Sequence, residues 1–365
     1  MTDATKPQTT LPQLDAPERY RACTWNLAVE PEKRRYWIEL FRWHFPKLLD
    51  EARREAADRG ADVEDVAARG ERARARFEAE LDRLLAEGAT YDWLDILQIC
   101  LERERVLREV GIDDAYRLAK ARENEAALGV LPGLLAELDA MDEQPRAETV
   151  TRGVFAGNIF DLGATKTVER FRDERVDFRA TLNELKPRPW LVDDHDAWVQ
   201  RLRGRAYKAA LLFIDNAGPD IVLGMLPLAR ELLKRGTRVI LAANTHPSLN
   251  DITHAELLPL LDRVAGLDPV VRDARASGQL TALADGNGAP LIDLTRLDPG
   301  FVAAVGREPI DLVVIEGMGR ALESNFNARL SCDALKVAMI KDPGVAEALG
   351  GELYDLVLRY ERGAG

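Results

Sequence analysis

The chain is expected to be an α/β protein: a three-layer α/β/α, mostly parallel sheet (Rossmann-like), with an N-terminal all-helical subdomain. Three observations predict this. From Lys208 onward, short continuous runs of Val, Ile and Leu alternate with helical periods, the pattern of strands buried on both faces of a parallel sheet. Before about residue 145 only helical spacing occurs. Several of the late apolar runs stop abruptly in polar residues beside glycine or proline, as strands do at the carboxyl rim of an open sheet.

Residues 1–15 are rich in Pro, Thr and Gln and are read as a mobile segment, 16–145 as the helical subdomain and 146–365 as the α/β domain. Helical character begins at Pro31, where Trp37, Leu40, Phe41 and His44 fall three and four apart; His44 is read as packing on that aromatic face. Residues 51–87, rich in Ala, Arg and Glu, read as a solvated helix pair with a narrow stripe from Val66 to Leu85. Helical stretches 93–107 and 115–138 follow. Gly153 to Ala164 has three glycines and no helical period, so a loop or a glycine-punctuated helix entry is expected, with Gly157 and Gly163 permitting close backbone approach. Residues 186–204 read as a connector and short helix, with His195 on the surface at its start.

Strand-like runs follow at 211–215, 237–244, 279–285, 290–294, 311–317, 334–341 and 353–361. Helical stretches lie between them at 220–235, 251–264, 298–306 and 343–349. The C-terminal strands are candidates for an antiparallel edge.

Composition bounds the function. Of 365 residues, 46% are hydrophobic and 31% charged, an ordinary globular balance. A net charge of −12 argues against a nucleic-acid surface. It leaves room for an anionic small molecule, because a bound metal or a local cation can reverse the field at a site. Cys23, Cys100 and Cys332 are three, widely spaced and without a CxxC pair, and read as reduced, inert thiols. The polar start is unlike a signal peptide and no run reaches the length of a membrane span, so a cytoplasmic protein is expected.

Chemistry collects at four strand ends. Asp215-Asn216 closes the first; taken alone, Asp-Asn-Ala-Gly reads equally as turn chemistry. Asn244 closes the second, and Asn250-Asp251 opens the helix after it. Glu316, Gly317, Gly319 and Arg320 close the third, and Lys341 the fourth. Asp215, Asn216 and Asp251 offer oxygen ligands to a hard or borderline divalent cation, with positions left for water and a substrate oxygen. Lys341, Arg320 and the backbone N–H groups of Gly317-Met318-Gly319 suit a phosphate. His246 and His254 flank Asp251 as further possible ligands. Metal-assisted hydrolysis of a phosphate ester fits this set. A dinucleotide fingerprint fails because Leu322 stands where a third glycine belongs, and no Walker loop occurs.

FIDNAGPDIVLGMLPLARELLKRGTRVILAANTHPSLNDITHAE, VVIEGMGRALESNFNA and the upstream AGNIFDLGA together resemble the metal-dependent damage-control phosphatases (domain of unknown function 89), in particular those with an EGMGR motif. These include stand-alone proteins and the phosphatase domain of pantothenate kinase-like proteins. The resemblance runs through nearly the whole chain from about Asp92. It implies a cytoplasmic phosphatase of 4′-phosphopantetheine, favouring oxidised or otherwise damaged forms, with Mn²⁺, Ni²⁺ or Co²⁺ as metal and Mg²⁺ as another candidate. It also implies Asp215, Asn216 and Asp251 as metal ligands, and Asn244 and Lys341 as phosphate contacts. Asn158, Asp161 and the loop Glu316 to Arg320 would shape the substrate site. The nucleophile is either a metal-activated water or Asp215 itself. A sugar-phosphate phosphatase and a non-catalytic module that senses a phosphorylated metabolite are the alternatives.

Overall fold

The computed structural model describes residues 9–159 and 178–363. Five helices come first: α1 (Pro31–Asp58), α2 (Val63–Glu87), α3 (Ile96–Glu109), α4 (Arg117–Ala140) and α5 (Glu143–Asn158). Helix α1 is one long element that runs on to Asp58, into the stretch 51–87 read as a helix pair. The aspartates Asp62 and Asp95 cap α2 and α3 by accepting from backbone N–H groups that lack helical partners. Helix α5 runs through Gly153 and Gly157 to Asn158, so residues 153–158, expected as a loop or a glycine-punctuated helix entry, are the last turns of a helix. Its glycines serve packing: a Cβ on Gly157 would stand 2.9 Å from the Cα of Asp220.

After α6 (Phe178–Glu184), the two-residue strand β1 (Val192–Asp193) and α7 (His195–Arg203), strand and helix alternate as expected. Strand β2 (Ala209–Phe213) leads into a π-helical turn (Asp220–Met225) continuous with α8 (Leu226–Lys234). Then come β3 (Arg238–Ala243), α9 (His254–Leu267), α10 (Pro269–Ala276), β4 (Leu280–Ala284), α11 (Pro299–Val305) and β5 (Ile310–Glu316). A second π-helical turn (Met318–Ser324), β6 (Asp333–Met339), α12 (Pro343–Leu349) and β7 (Leu356–Glu361) complete the described chain.

The seven strands lie in the order β1-β7-β6-β5-β2-β3-β4. All neighbours pair parallel except β6 with β7, which run antiparallel toward one edge. The β2-β3-β4 series extends one way from the centre and β5-β6 the other, so the winding reverses between β2 and β5. Ligands of open α/β sheets bind at that reversal. Alternate residues of each strand serve two cores. Leu211, Phe213, Ile240, Val313 and Ile315 pack under α1–α3, α11 and α12. Leu212, Ile214, Leu241, Val314 and Val337 pack under α4, α5 and α7–α10. Full burial of each such side chain contributes about 1.5–3 kcal/mol. The early helices are therefore divided between the two faces of one sheet.

Three sequence expectations are corrected. Residues 290–294 form no strand: Leu294 carbonyl accepts from Leu11 N–H and Leu294 N–H donates to the Tyr20 hydroxyl, while Ile292 N–H donates to Ser324 Oγ and its carbonyl accepts from Asn325 Nδ2, so these backbone bonds go to the N-terminal segment and to side chains after β5. From Thr9 onward that segment is anchored, with Leu11 and Leu14 buried in the core. His195 is buried, not superficial; it packs edge-on against Trp190, and burial lowers its pKa.

Candidate active site

Asp215 follows β2 and Glu316 ends β5, on either side of the winding reversal, while Asn244 follows β3 and Lys341 follows β6. Parallel strands in register bring these ends to one rim. The loops beyond β2 and β3 are then stitched together by backbone bonds. Ile252 N–H donates to Asp215 carbonyl at 3.0 Å, and Ala217 N–H to Asn250 carbonyl at 3.0 Å. Bridges also pair Asn216 with Asp251 and Asn244 with Thr253. Thr253 is the N-cap of α9 in a reciprocal capping box with Glu256, which fixes where the loop ends. Asp215 and Asp251, 36 residues apart in the chain, thereby share one platform.

Beneath the platform lies a dense polar network. The Arg320 guanidinium, wholly buried, bonds Asp215 Oδ1 through one nitrogen and Asp251 Oδ2 at 2.8 Å through the other. The two carboxylates thus converge on a common cation. Arg320 also meets Asn244 Oδ1 at 3.1 Å, and Asn244 Nδ2 meets Asp251 Oδ2 at 2.8 Å. On the other side Glu316 Oε2 accepts from the Asp215 backbone N–H at 3.1 Å. Asp220 Oδ2 accepts from the Asn216 N–H at 3.3 Å and from its Nδ2 at 2.9 Å. Asn158 Nδ2 donates toward Glu316 (2.5 Å), Asp220 (3.1 Å) and Asp215 (3.5 Å).

This arrangement can hold a metal. Among the described residues, Asp215, Asp220 and Glu316 have ligand oxygens within 4.8 Å of one another. Burial drives the pKa of Glu316 and of Asp220 upward, the strain of desolvating carboxylates with too little positive charge nearby. Two buried oxygens, Asp220 Oδ1 and Asn158 Oδ1, have no hydrogen-bond partner. An all-oxygen donor set with unsatisfied acceptors fits a hard or borderline divalent ion.

Above the platform opens a cleft. Asp215, Asn216, Asp251, Met318, Gly319 and Lys341 line it. Asn158, Asn244, Glu316 and Arg320 are not among the lining residues and are buried in the network just described; Gly317 is buried as well, its N–H donating to the Val337 carbonyl at 3.1 Å. Asp161 lies outside the described residues. Lys341 Nζ donates to the Asn158 carbonyl at 2.6 Å, tying the fourth strand end to α5. His44 is half-buried and lines the cleft, so its face of α1 is a wall of the site as well as packing. His246 is exposed, and neither it nor His254 joins the acid cluster.

Two residues escaped the sequence reading. Asp220 heads the helical stretch 220–235, and an acid placed directly before an apolar run is the local signal that marks it. Lys120 sits in the helical stretch 115–138, where nothing local marks it; its buried ammonium bonds Asp114 and Glu256 at 2.9 Å each and reaches the Asp251 carbonyl at 3.3 Å.

A doubly wound sheet with an acid-and-amide platform at its winding reversal defines an α/β protein built around a metal-capable rim site. The profile of the Damage-control phosphatase ARMT1-like domain matches residues 41–357, and the chain belongs to that family. It is 38% identical to a damage-control phosphatase of Arabidopsis thaliana over 96% of both chains. It is 42% identical to pantothenate kinase 2 of the same plant, over 96% of this chain and 41% of that one. With the mouse protein named 4′-phosphopantetheine phosphatase the identity is 33%, over 98% of this chain and 49% of that one. The chain thus spans less than half the length of these last two relatives. A crystal structure of a Pyrococcus horikoshii protein of the DUF89 family shares the fold, with a TM-score of 0.59 at 16% identity over 88% of this chain and 96% of that one.

Proposed function

We propose that the chain is a metal-dependent phosphatase that hydrolyses a phosphate monoester, with 4′-phosphopantetheine and its oxidised or damaged forms as substrates. The observation that carries this reading is the single cleft faced by Asp215, Asn216, Asp251 and Lys341, in a chain aligned end to end with a named damage-control phosphatase.

Asp215, Asn216 and Asp251 are the metal ligands in this proposal because they face the cleft, where an ion must meet substrate. Asp220 and Glu316 are buried behind them and act as positioning residues, holding the Asn216 amide and the Asp215 backbone. A bound Mn²⁺, Ni²⁺, Co²⁺ or Mg²⁺ would supply Lewis-acid polarisation of the phosphoryl group and a water acidified toward neutrality. Arg320 fixes the Asp215 and Asp251 carboxylates from below, and Asn244 holds Asp251; both support the ligands from behind the cleft. Because Arg320, Asn216 and Asn158 hold the Asp215 carboxylate, it serves as a fixed ligand and water is the nucleophile. Lys341 is placed to meet a phosphoryl oxygen as charge grows on it.

The test is phosphate release from 4′-phosphopantetheine, its sulfonate and a set of sugar phosphates, with each metal in turn. Turnover of the pantetheine esters is expected. It should disappear in Asp215→Ala and Asp251→Ala proteins that keep a wild-type circular dichroism spectrum. Preference for sugar phosphates would replace the substrate assignment. Tight binding without release under every metal would identify a sensing module instead.

A further inference from the structure

The chemistry gathers at the ends of β2, β3, β5 and β6, yet the end of β4 is tied to them. Beyond Ala284 the chain turns through Asp285-Gly286-Asn287, beside the loop that follows β3. The Thr245 and His246 N–H groups donate to the Asn287 carbonyl at 2.9 and 3.0 Å, and Gly286 N–H donates to Thr245 Oγ1 at 2.7 Å. Asn287 N–H is itself held by Asp285 Oδ1 at 2.8 Å. The turn is thus fixed against the residues that follow Asn244.

The Asn287 side chain continues inward. Its Nδ2 lies 2.7 Å from the Ala289 carbonyl, 2.9 Å from the Leu291 carbonyl and 3.0 Å from Asn244 Oδ1. A backbone carbonyl can only accept, so the amide nitrogen of Asn287, not its oxygen, must face this trio. That choice propagates. Asn244 presents its oxygen to the Asn287 N–H, and Arg320 Nη2, which can only donate, meets the same oxygen at 3.1 Å. The Asn244 nitrogen is therefore turned to Asp251 Oδ2 at 2.8 Å, with the Ala289 carbonyl at 3.3 Å. Asn244 is wholly buried, and both hydrogens and both lone pairs of its amide are engaged. Reversing that amide would set oxygen against carboxylate and N–H against guanidinium, a mismatch that burial makes costly.

We propose that Asn287 is a positioning residue of the metal site. It sets the direction of the Asn244 amide and, through it, holds the Asp251 carboxylate in the rotation that receives the divalent ion. This role presupposes Asp251 as a metal ligand, as proposed above, and extends the site to a fifth strand end. Arg320 does not suffice alone, because its guanidinium is drawn as well to the Asp215 and Asp251 carboxylates. Without Asn287 the buried Asn244 oxygen keeps only that shared donor. Partners standing behind a metal ligand tune affinity by about 10–100-fold.

The experiment titrates Mn²⁺ into the metal-free full chain by calorimetry. Asn287→Leu keeps the size and removes the donor, and Asn287→Ala is the second form should the leucine variant fail to fold. Thr245→Val is the control for structure alone: it cuts the Gly286 bond to the same turn and leaves the amide chain intact. Asn287→Leu is then repeated in an Asn244→Ala background. The Mn²⁺ dissociation constant should rise about tenfold in the Asn287 variants. It should stay within about twofold of wild type in Thr245→Val, whatever that variant does to melting, and should move by less than about twofold once Asn244 is alanine. An unchanged constant in a folded Asn287 variant would overturn the positioning role. So would an equal rise in Thr245→Val, or a full tenfold effect in the absence of Asn244; the metal site itself would survive each of these results. Wild type that takes up no Mn²⁺ would overturn the metal site, and the role of Asn287 with it.

Discussion

Replacing Gly317 by alanine isolates the geometry of Asp215 from its chemistry. Gly317 follows β5 with φ +98° and ψ 148°, a conformation essentially restricted to glycine. Forcing alanine into it costs about 1–3 kcal/mol. A Cβ there would also stand 2.3 Å from Asp215 Oδ2 and 2.4 Å from its Cγ. Ordinary contact needs roughly 1 Å more, and the obstacle on the Gly317 side is backbone. The carboxylate must therefore give way. A displacement of about 1 Å in a catalytic group costs on the order of 100-fold in rate. Gly236→Ala is the matched control, since Gly236 has φ +85° with nothing within 4 Å of the added methyl. Urea unfolding should register a loss of about 1–3 kcal/mol in both variants. Phosphate release at saturating Mn²⁺ should fall about 100-fold in Gly317→Ala alone. Matching turnover in the two variants would refute the claim that Gly317 is glycine to make room for Asp215.

Three further outcomes are expected. Lys120→Met leaves Asp114 and Glu256 without their buried cation and should cost about 3–5 kcal/mol by urea unfolding. It should also weaken Mn²⁺ binding by loosening the Asp251 backbone, with Lys120→Arg restoring part of both; wild-type stability and affinity in Lys120→Met would refute the assignment. Asp285 is buried and its pKa is pushed up to about 7 by desolvation, above the unfolded value of about 4. Its folded-state proton stabilises fully below about pH 4, and that contribution is lost as pH rises through about 7. Wild type should accordingly lose about 3 kcal/mol relative to Asp285→Asn between pH 5 and pH 8, and parallel stability curves would exclude this. Lys341→Ala should raise KM for the ester more than it raises the Mn²⁺ dissociation constant by calorimetry; equal losses would mark a structural lysine.

The thiols agree with their sequence reading. Burial raises the Cys23 pKa and pushes those of Cys100 and Cys332 up to about 12, so none is poised as a nucleophile.

The fold class was legible because it depends on local alternation. Continuous Val, Ile and Leu runs require burial on both faces, and the helical periods between them supply the covering layers. Asp215, Asn216, Asn244 and Lys341 could be picked out for a related reason: a polar group directly after a buried run must sit where the strand leaves the core. The roles of neighbours were less visible. Asp220 and Lys120 carry helical sequence context, and nothing local says that the facing surface is another protein layer instead of water. The 290–294 run has strand composition, but its backbone partners include side chains after β5 and, for Leu294, groups of the N-terminal segment more than 270 positions away.

The sequence by itself determined the strand and helix alternation and the chemical types gathered at the strand ends, because both follow from which residues tolerate burial. Tertiary structure alone decided the strand order, the reversal between β2 and β5, and which acids face the cleft rather than the interior. Those outcomes depend on contacts between elements far apart in the chain, where desolvation of one carboxylate is set by whether a cation from another element arrives beside it.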